Sequence, residues 1–555
     1  MGLAEPFSGP KRKLIHISSF SKTSKGNLLT MDRRNVLKLG AGFAAALILA
    51  REAMSASAAE SLASLPMGES APFSEATVIE RARELSQAPY APPADTIPAA
   101  YKDLNYDQYR AIRFRKDLAL WKNDNLSFTA EFFSAGYIYL TPVQIFVVDA
   151  GKAAELKYQP DLFTYGPEVS RPPENTSPGF SGFRLHTLIN RLDVMDEFVV
   201  FQGASYFRSK APGQDYGLSA RGLAINTAQP PADEFPIFRT FWLAKPEPGA
   251  SSVTVFALLD SISVSGAYKF VISAGQNTVM DVDCTLFPRN TMNYAGIAPL
   301  TSMFYFSPGD DYRADDVRQR VHDSDGLSIW NGKGEHIWRP LINPSRNQFS
   351  SFADNGFKGF GLLQRERRAD RYQDFDAKYE ERPSVWVEPR DVWGEGSVDL
   401  IELPTRTEYF DNIVAFWHPK EPLQGGGTYA YRYRLTWCAE PPVRVNFARV
   451  TQTLVGASPQ HKGMRQFFVD FTGTDEFKLC DDVDDFCGAT NGNVELTASA
   501  GAIANVAVRR NRISSGHRVS FDYQPPAGAA GADLRCCLIA EGKPVSEIWV
   551  YRWTA

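Results

Sequence analysis

The chain has 555 residues, too many for one ordinary core at ~100–200 residues per domain, and 12% aromatic against 22% charged residues is the balance of folded rather than disordered material. Its 64 acidic residues outnumber 59 basic ones, for a net charge of −5. No long basic block occurs, which argues against a nucleic-acid binder, since such a protein gathers Lys and Arg into one basic surface.

In chain order, Met31-Asp-Arg33-Arg34-Asn-Val-Leu-Lys38 precedes an apolar run from Leu39 to Ala50 and the small residues Ala56-Ser57-Ala58. The run is too short for the ~20 residues that span a bilayer, and the three regions in order read as a cleavable twin-arginine signal. Residues 1–58 are therefore expected to be an upstream extension and signal peptide, recognised by the twin-arginine translocase through Arg33 and Arg34. The mature chain is expected to begin near Ala59, in the periplasm, and Met31 is an alternative start.

The periodicity predicts a helix over Ala76–Leu85 and, from Tyr109 onward, short β-branched strands: Tyr137–Val148, Ser252–Leu259, Tyr268–Ser273 and Thr278–Asp283. Gly, Pro, Asn and Asp clusters separate them, so hairpins of a sandwich are expected. Ala439-Glu-Pro-Pro442 marks a boundary that divides the mature chain into 59–438 and 439–555. The second part has the size of an immunoglobulin-like sandwich, with strands over Arg465–Phe471, Asn493–Ala498, Ala504–Arg509, His517–Tyr523 and Glu547–Trp553. Cys480 and Cys487 flank an acidic loop and are close enough in sequence to pair in an oxidising compartment. Adjacent Cys536 and Cys537 should point to opposite faces of a strand, and Cys284 and Cys438 read as core.

Several signatures fail on spacing. Gly217-Leu-Ser219-Ala-Arg221 lacks the second Gly of a nucleophile elbow, which leaves Ser219 a structural or ligand-contacting serine. Gly356-Phe-Lys-Gly-Phe-Gly361 lacks the dinucleotide order, Asp481–Asp485 lacks a calcium loop's Gly and terminal Glu, and no zinc spacing occurs. The stretch from about Tyr294 to Pro419 stands apart. There Trp330, Trp338, Tyr372, Tyr379, Trp386, Trp393 and Trp417 alternate with Arg339, Asn343, Gln364, Arg382, Glu388 and Arg390, in segments that read as loops. Flat rings for sugar C–H faces beside hydroxyl-binding groups suit a long polar polymer; the alternative is that most of these Trp residues are core. Glycoside cleavage further needs a carboxylic acid and a carboxylate base. Asp323, Asp325, Asp391, Glu408 and Asp411 are candidates, and composition does not choose between Asp411, Asp391 and Glu408.

Longer motifs carry a family resemblance: Gly203-Ala-Ser-Tyr-Phe-Arg208, Tyr216–Ile225, Gly266–Phe270, Ile297–Met303, His322-Asp-Ser-Asp325, Lys358–Gly361, Arg382-Pro-Ser-Val-Trp-Val-Glu-Pro-Arg390 and Asp411-Asn-Ile-Val414. In this the chain resembles the glucans biosynthesis proteins D and G of Gram-negative bacteria, and the twin-arginine signal resembles the D branch. The resemblance implies a mainly β fold, with a large N-terminal β-sandwich similar to galactose mutarotase joined to a C-terminal immunoglobulin-like β-sandwich. It implies a part in making osmoregulated periplasmic glucan, by acting as an inverting endo-hydrolase or transglycosylase on a β-1,2-glucan backbone. The alternative is a non-catalytic glucan binder that serves a membrane glucan synthase. By the same resemblance Asp411 takes the general-acid position and Asp323 the general-base position acting through waters. Tyr379 takes a substrate-contacting position, with Trp386, Arg382, Glu388, Arg390 and Trp330 expected around the sugar. No metal or organic cofactor is expected.

Overall fold

Strand residues dominate because β-branched and aromatic side chains alternate with polar ones over short runs, and each run is closed by a turn-forming cluster. The computed structural model describes residues 65–173, 176–310, 314–443, 446–473, 493–514 and 516–555. The expected signal with Arg33 and Arg34, the pair Cys480 and Cys487, and the acidic loop between them lie outside the described residues.

The fold is a β-sandwich of two large sheets. One runs Met67–Pro72, Lys152–Leu156, Gln144–Asp149, Ile237–Ala244, Ser252–Asp260, Val264–Ser273, Thr278–Pro288, Tyr429–Cys438, Ser384–Pro389, Gly359–Leu363, Gly326–Trp330 and His336–Pro340. The other runs Gln348–Asn355, Glu395–Glu402, Ile413–Pro419, Ala295–Ser302, Ser219–Arg221, Tyr206–Ser209, Val194–Gln202, Phe180–Arg191 and Thr129–Ser134. Between them lies a core that includes Phe183, Phe201, Phe207, Phe270, Leu300, Val385, Val387 and Trp417. A helix over Glu75–Ser86, one residue longer at each end than its periodicity predicts, covers the back of the first sheet through Val78 and Ala82.

After Cys438, the strands Arg449–Ala457, Arg465–Thr472, Gly516–Gln524 and Ala502–Asn511 form a four-stranded sheet. It closes over Val494–Ala498, Gly531–Ala540 and Ile548–Thr554 around a second core with Phe467, Phe521, Cys536, Trp549 and Tyr551. Ile337 and Trp338 pair in parallel with Ile548 and Trp549, so the first large sheet continues into these last strands. Trp338, Leu363 and Trp386 seal this second core from the other side. All four described cysteines are buried and unbonded.

Two expectations are corrected. Only Gln144–Asp149 of the predicted strand Tyr137–Val148 is extended, because Gly136 and Tyr137 adopt positive φ (146° and 59°) and Pro142 cannot donate to a ladder. Residues 294–419 place Trp330, Trp338, Trp386 and Trp417 in strands rather than loops. Their Trp residues lie over strand glycines: a Cβ built on Gly326, Gly359 or Gly396 would sit 2.5 Å from the ring of Trp338, Trp386 or Trp417 respectively. Glycine there makes room for an indole lying flat on the sheet.

Candidate functional site

The outer face of the second sheet carries the site. Phe207, Ala220 and Leu300 point into the core, so period-2 alternation sends Tyr206, Arg208, Ser219 and Thr301 to the opposite face. Ser219 is fully buried there. Asp411 sits just before the strand Ile413–Pro419, and Asp323 just after the two-residue strand Val321–His322. A backbone staple ties the two together. The Asn412 side chain accepts from Phe304 N (2.8 Å) and donates to Phe304 O (2.9 Å) and Leu403 O (3.0 Å), while Phe304 pairs with His322. Asp323 N then donates to Met303 O at 2.8 Å, which fixes its backbone beside the same strand.

The two carboxyls differ in environment. Asp323 is 7% exposed, with Oδ1 accepting no hydrogen bond and the Arg382 guanidinium 3.6 Å away. Burial pushes its pKa up to about 6; Arg382 and Arg208 oppose the rise, while the charges of Asp411 and Glu408 add to it. Asp411 keeps 34% of its side chain in solvent and lies 4.0 Å from Arg208. Its carboxyl too is raised by desolvation, against the pull of Arg208 and Arg382. Of the other candidate carboxylates, Asp325 is taken up structurally. It accepts N–H bonds from Arg365 and Glu366 (both 2.7 Å) and faces His322 at 3.2 Å. Asp391 accepts from Trp393 at 2.6 Å in an exposed turn. Glu408 accepts from the Tyr379 hydroxyl (2.8 Å) and from Arg318 (2.8 Å).

Arg382 and Tyr379 join the two Asp residues. Arg382 lies 5.2 Å over the Tyr379 ring and donates to Ala377 O and Tyr216 O. Desolvation raises the Tyr379 hydroxyl, Glu408 and Asp323 adding to it, so it is a neutral donor. The remaining sequence-predicted residues are not brought to this place. Trp386 is 1% exposed and packed on Gly359 and Gly361 in the second core, so it presents no face to a ligand. Glu388 alternates with the core residues Val385 and Val387 and joins Arg390, Arg434 and Asp281 on the back of the first sheet. Burial raises the Glu388 carboxyl there, against Arg434 and Arg390. Trp330 stacks on His336 (5.0 Å) beside Phe447.

Asp411 opens onto a cleft of about 560 Å3 lined by Tyr139, Arg184, Gln202, Tyr206, Arg208 and Tyr216. The cleft shares Phe133, Ile138, Tyr139, Arg184 and Gln202 with a further hollow of about 610 Å3, to which Tyr106, Tyr109, Arg110 and Tyr137 contribute. The rings form a ladder: Tyr139 and Tyr109 at 5.5 Å, Tyr109 and Tyr137 at 5.9 Å, Tyr137 and Tyr106 at 6.4 Å. Sequence reasoning missed this groove and the Asn412 staple. No local signal marked the groove: Tyr137-Ile-Tyr139 reads as strand, and Tyr206-Phe-Arg208 alternates like any half-wet strand. A larger hollow of about 930 Å3, bounded by Asn343, Pro344, Thr405, Arg406 and Trp553, holds neither Asp323 nor Asp411. Among the described residues no three His, Cys, Asp or Glu side chains gather to hold a metal.

The family model described as Periplasmic glucan biosynthesis protein, MdoG, matches residues 73–553, which include every residue of this site. The chain belongs to that family. Relatives named Glucans biosynthesis protein G include that of Rhodopseudomonas palustris strain BisA53, 48% identical over 87% of this chain and 94% of its own. That of Bradyrhizobium diazoefficiens is 45% identical over 94% of this chain and 100% of its own, and that of Vibrio cholerae O395 is 45% identical over 87% of each. These relatives place the chain in the G branch and overturn the D-branch expectation. That expectation rested on the segment around Arg33 and Arg34, which lies upstream of the matched residues. The family is one of periplasmic glucan biosynthesis, and no helix among the described residues is long and apolar enough to cross a membrane.

Proposed function

We propose that this protein is an inverting endo-acting hydrolase or transglycosylase of the β-1,2-linked glucose backbone of periplasmic glucan, with Asp411 as general acid and Asp323 as general base. The observation that carries the reading is the pair itself: two buried or half-buried carboxyls with raised pKa, bridged electrostatically by Arg382 and Arg208, with Asp411 opening onto a tyrosine-lined groove. Raised pKa values are what acid and base chemistry near neutral pH needs. A glucan chain in the groove strips water from the exposed third of Asp411 and raises its carboxyl further, so that it holds a proton for the leaving oxygen. Asp323 is already buried, ionises above about 6, and takes the proton of the attacking water through intervening waters. If a sugar hydroxyl replaces that water, the same residues give transfer.

Tyr139, Tyr137 and Tyr106 offer ring faces to sugar C–H groups, and Arg208, Arg184 and Gln202 offer hydroxyl partners. Tyr379, its hydroxyl oriented by Glu408, contacts the substrate in this reading. We further infer export by the twin-arginine route through Arg33 and Arg34, and a division at 438/439 into a glucan-binding part and an immunoglobulin-like part. The last strands, grouped around their own core, support that division. The test is incubation of the mature protein and its Asp411→Asn variant with linear β-1,2-glucan, following chain length and reducing ends together. Shorter chains with new reducing ends, lost in the variant, are expected. Shorter or cyclic products without new ends indicate transfer. Binding without any change of length overturns the catalytic reading in favour of a glucan-organising protein that serves a membrane synthase.

A further inference from the structure

One guanidinium joins three loops beside the carboxyl pair. Arg318 grips Asp316 with Nη2 (2.8 Å) and Nε (3.0 Å), and its Nη1 bridges Asp374 Oδ2 (2.7 Å) and Glu408 Oε2 (2.8 Å). Each bridged carboxylate leads to one member of the pair. Glu408 stands three residues before Asp411 and also holds the Tyr379 hydroxyl. Asp374 accepts the backbone N–H groups of Asp376 (3.1 Å) and Ala377 (2.9 Å), forming the turn whose Ala377 carbonyl receives Arg382, the cation beside Asp323.

Ala314 and Ala377 pack with Tyr372 and Tyr379 in one apolar cluster, but no residue of 405–411 belongs to it, so the loop that carries Glu408 and Asp411 is held here by Arg318 and the Tyr379 hydroxyl. Val317, Phe375 and Tyr409, each next in sequence to a member of the ionic cluster, are 97%, 79% and 85% exposed and add no packing to it. Arg318 is itself 15% exposed, and three carboxylates around a single partly buried cation repel one another once that cation is removed.

We propose that Arg318 is a positioning residue of the carboxyl pair, fixing the loop that presents Asp411 against the loop that presents Arg382 and Tyr379. The proposal rests on the reading of Asp411 and Asp323 as acid and base. Arg318 touches no reacting atom and acts through Glu408 and Asp374. A second consequence is electrostatic. The charged groups facing Asp323 are Arg382, Asp411, Arg208 and Glu408, and Glu408 is the one whose charge Arg318 directly offsets. Loss of Arg318 leaves that charge uncompensated and makes Asp323 harder to ionise.

The test compares the mature protein with Arg318→Ala and Arg318→Lys, using hydrogen exchange in the absence of glucan and the pH profile of kcat/KM on linear β-1,2-glucan. Arg318→Ala is expected to speed exchange in 373–378 and 405–411 while leaving the core strands protected. It should lower kcat roughly 10²-fold, the cost of misplacing a reacting group by ~1 Å, with a smaller change in KM. The acidic limb of its profile should move to higher pH. Arg318→Lys keeps the charge but cannot both grip Asp316 with two nitrogens and bridge the other two carboxylates. It should return the limb towards its wild-type place while recovering only part of kcat. Unchanged exchange in either loop, or faster exchange with kcat and the acidic limb unmoved, overturns the proposal. A wild-type protein without turnover overturns the catalytic reading itself and is seen in the control, separately from the exchange result.

Discussion

Replacing Asp323 by Asn should make the protein more stable, and the gain should depend on pH in a defined way. An exposed carboxyl of the unfolded chain ionises near 3.8, whereas in the fold Asp323 is pushed up to about 6, chiefly by burial. A carboxyl whose folded pKa is raised binds protons more tightly folded than unfolded. Stability is therefore lost as pH rises between those values, and the full cost is present above the upper one. At ~1.4 kcal/mol for each tenfold in proton affinity, the difference amounts to ~3 kcal/mol at about pH 7.5, falling to ~1 kcal/mol at about pH 4.5. Asparagine has the same shape and no charge to bury. Arg382, left without that carboxylate, still donates to Ala377 O and Tyr216 O. For a unit of the size of Leu65–Ala555, an unfolding entropy of ~2.1 cal/mol/K per residue turns ~3 kcal/mol into a rise in Tm of only ~3 °C, so denaturant melts at the two pH values are the better assay. A variant less stable than wild type at about pH 7.5, or a gain equal at both pH values, would refute the assignment of a buried carboxylate that is costly to ionise at this position.

The remaining predictions concern which residues belong to the chemistry and which to the frame. Tyr139→Ala should raise KM for linear β-1,2-glucan several-fold, from loss of a ring face that meets sugar C–H groups, with little change in kcat; equal effects on both would place Tyr139 in the transition state instead. Glu388→Gln and Arg390→Gln should leave glucan turnover unaltered, because both side chains belong to the charge cluster on the back of the first sheet; a loss of kcat in either, measured by reducing-end release, would contradict that placement. Gly359→Ala should destabilise by ~1–3 kcal/mol in a urea melt, since its methyl group would meet three atoms of the Trp386 ring at 2.5–2.8 Å.

How much of the molecule is legible in the sequence differs between fold and site. The helix at Glu75–Ser86 and strands such as Arg465–Thr472 and Gly516–Gln524 follow directly from periodicity, because one face of each is wet and the polar residues mark it. The aromatic stretch before Pro419 misleads for the converse reason. The strands that carry Trp386 and Trp417 are buried on both faces, so no alternation survives in them, and the two rings look like ligand platforms until the glycines beneath them are seen as their seats. Asp411 and Asp323 are reached through family motifs, since composition leaves Asp391 and Glu408 equally eligible. What separates them is tertiary: Asn412 ties the first to the strand beside the second, and Asp391 is spent on Trp393. Tyr139, Arg208 and Arg318 could not be read as site residues because distant strands and loops bring them there, and no local pattern records a groove.

The most direct test of an acid at Asp411 and a water-delivering base at Asp323 is the configuration of the first sugar released. Proton NMR on linear β-1,2-glucan, read within the first minutes before mutarotation equilibrates the ends, should show new reducing ends appearing as the α anomer, because water attacks opposite the departing β-linked oxygen. New ends appearing first as the β anomer would mean a covalent intermediate and a nucleophilic carboxylate, and would contradict the roles of both residues as acid and base.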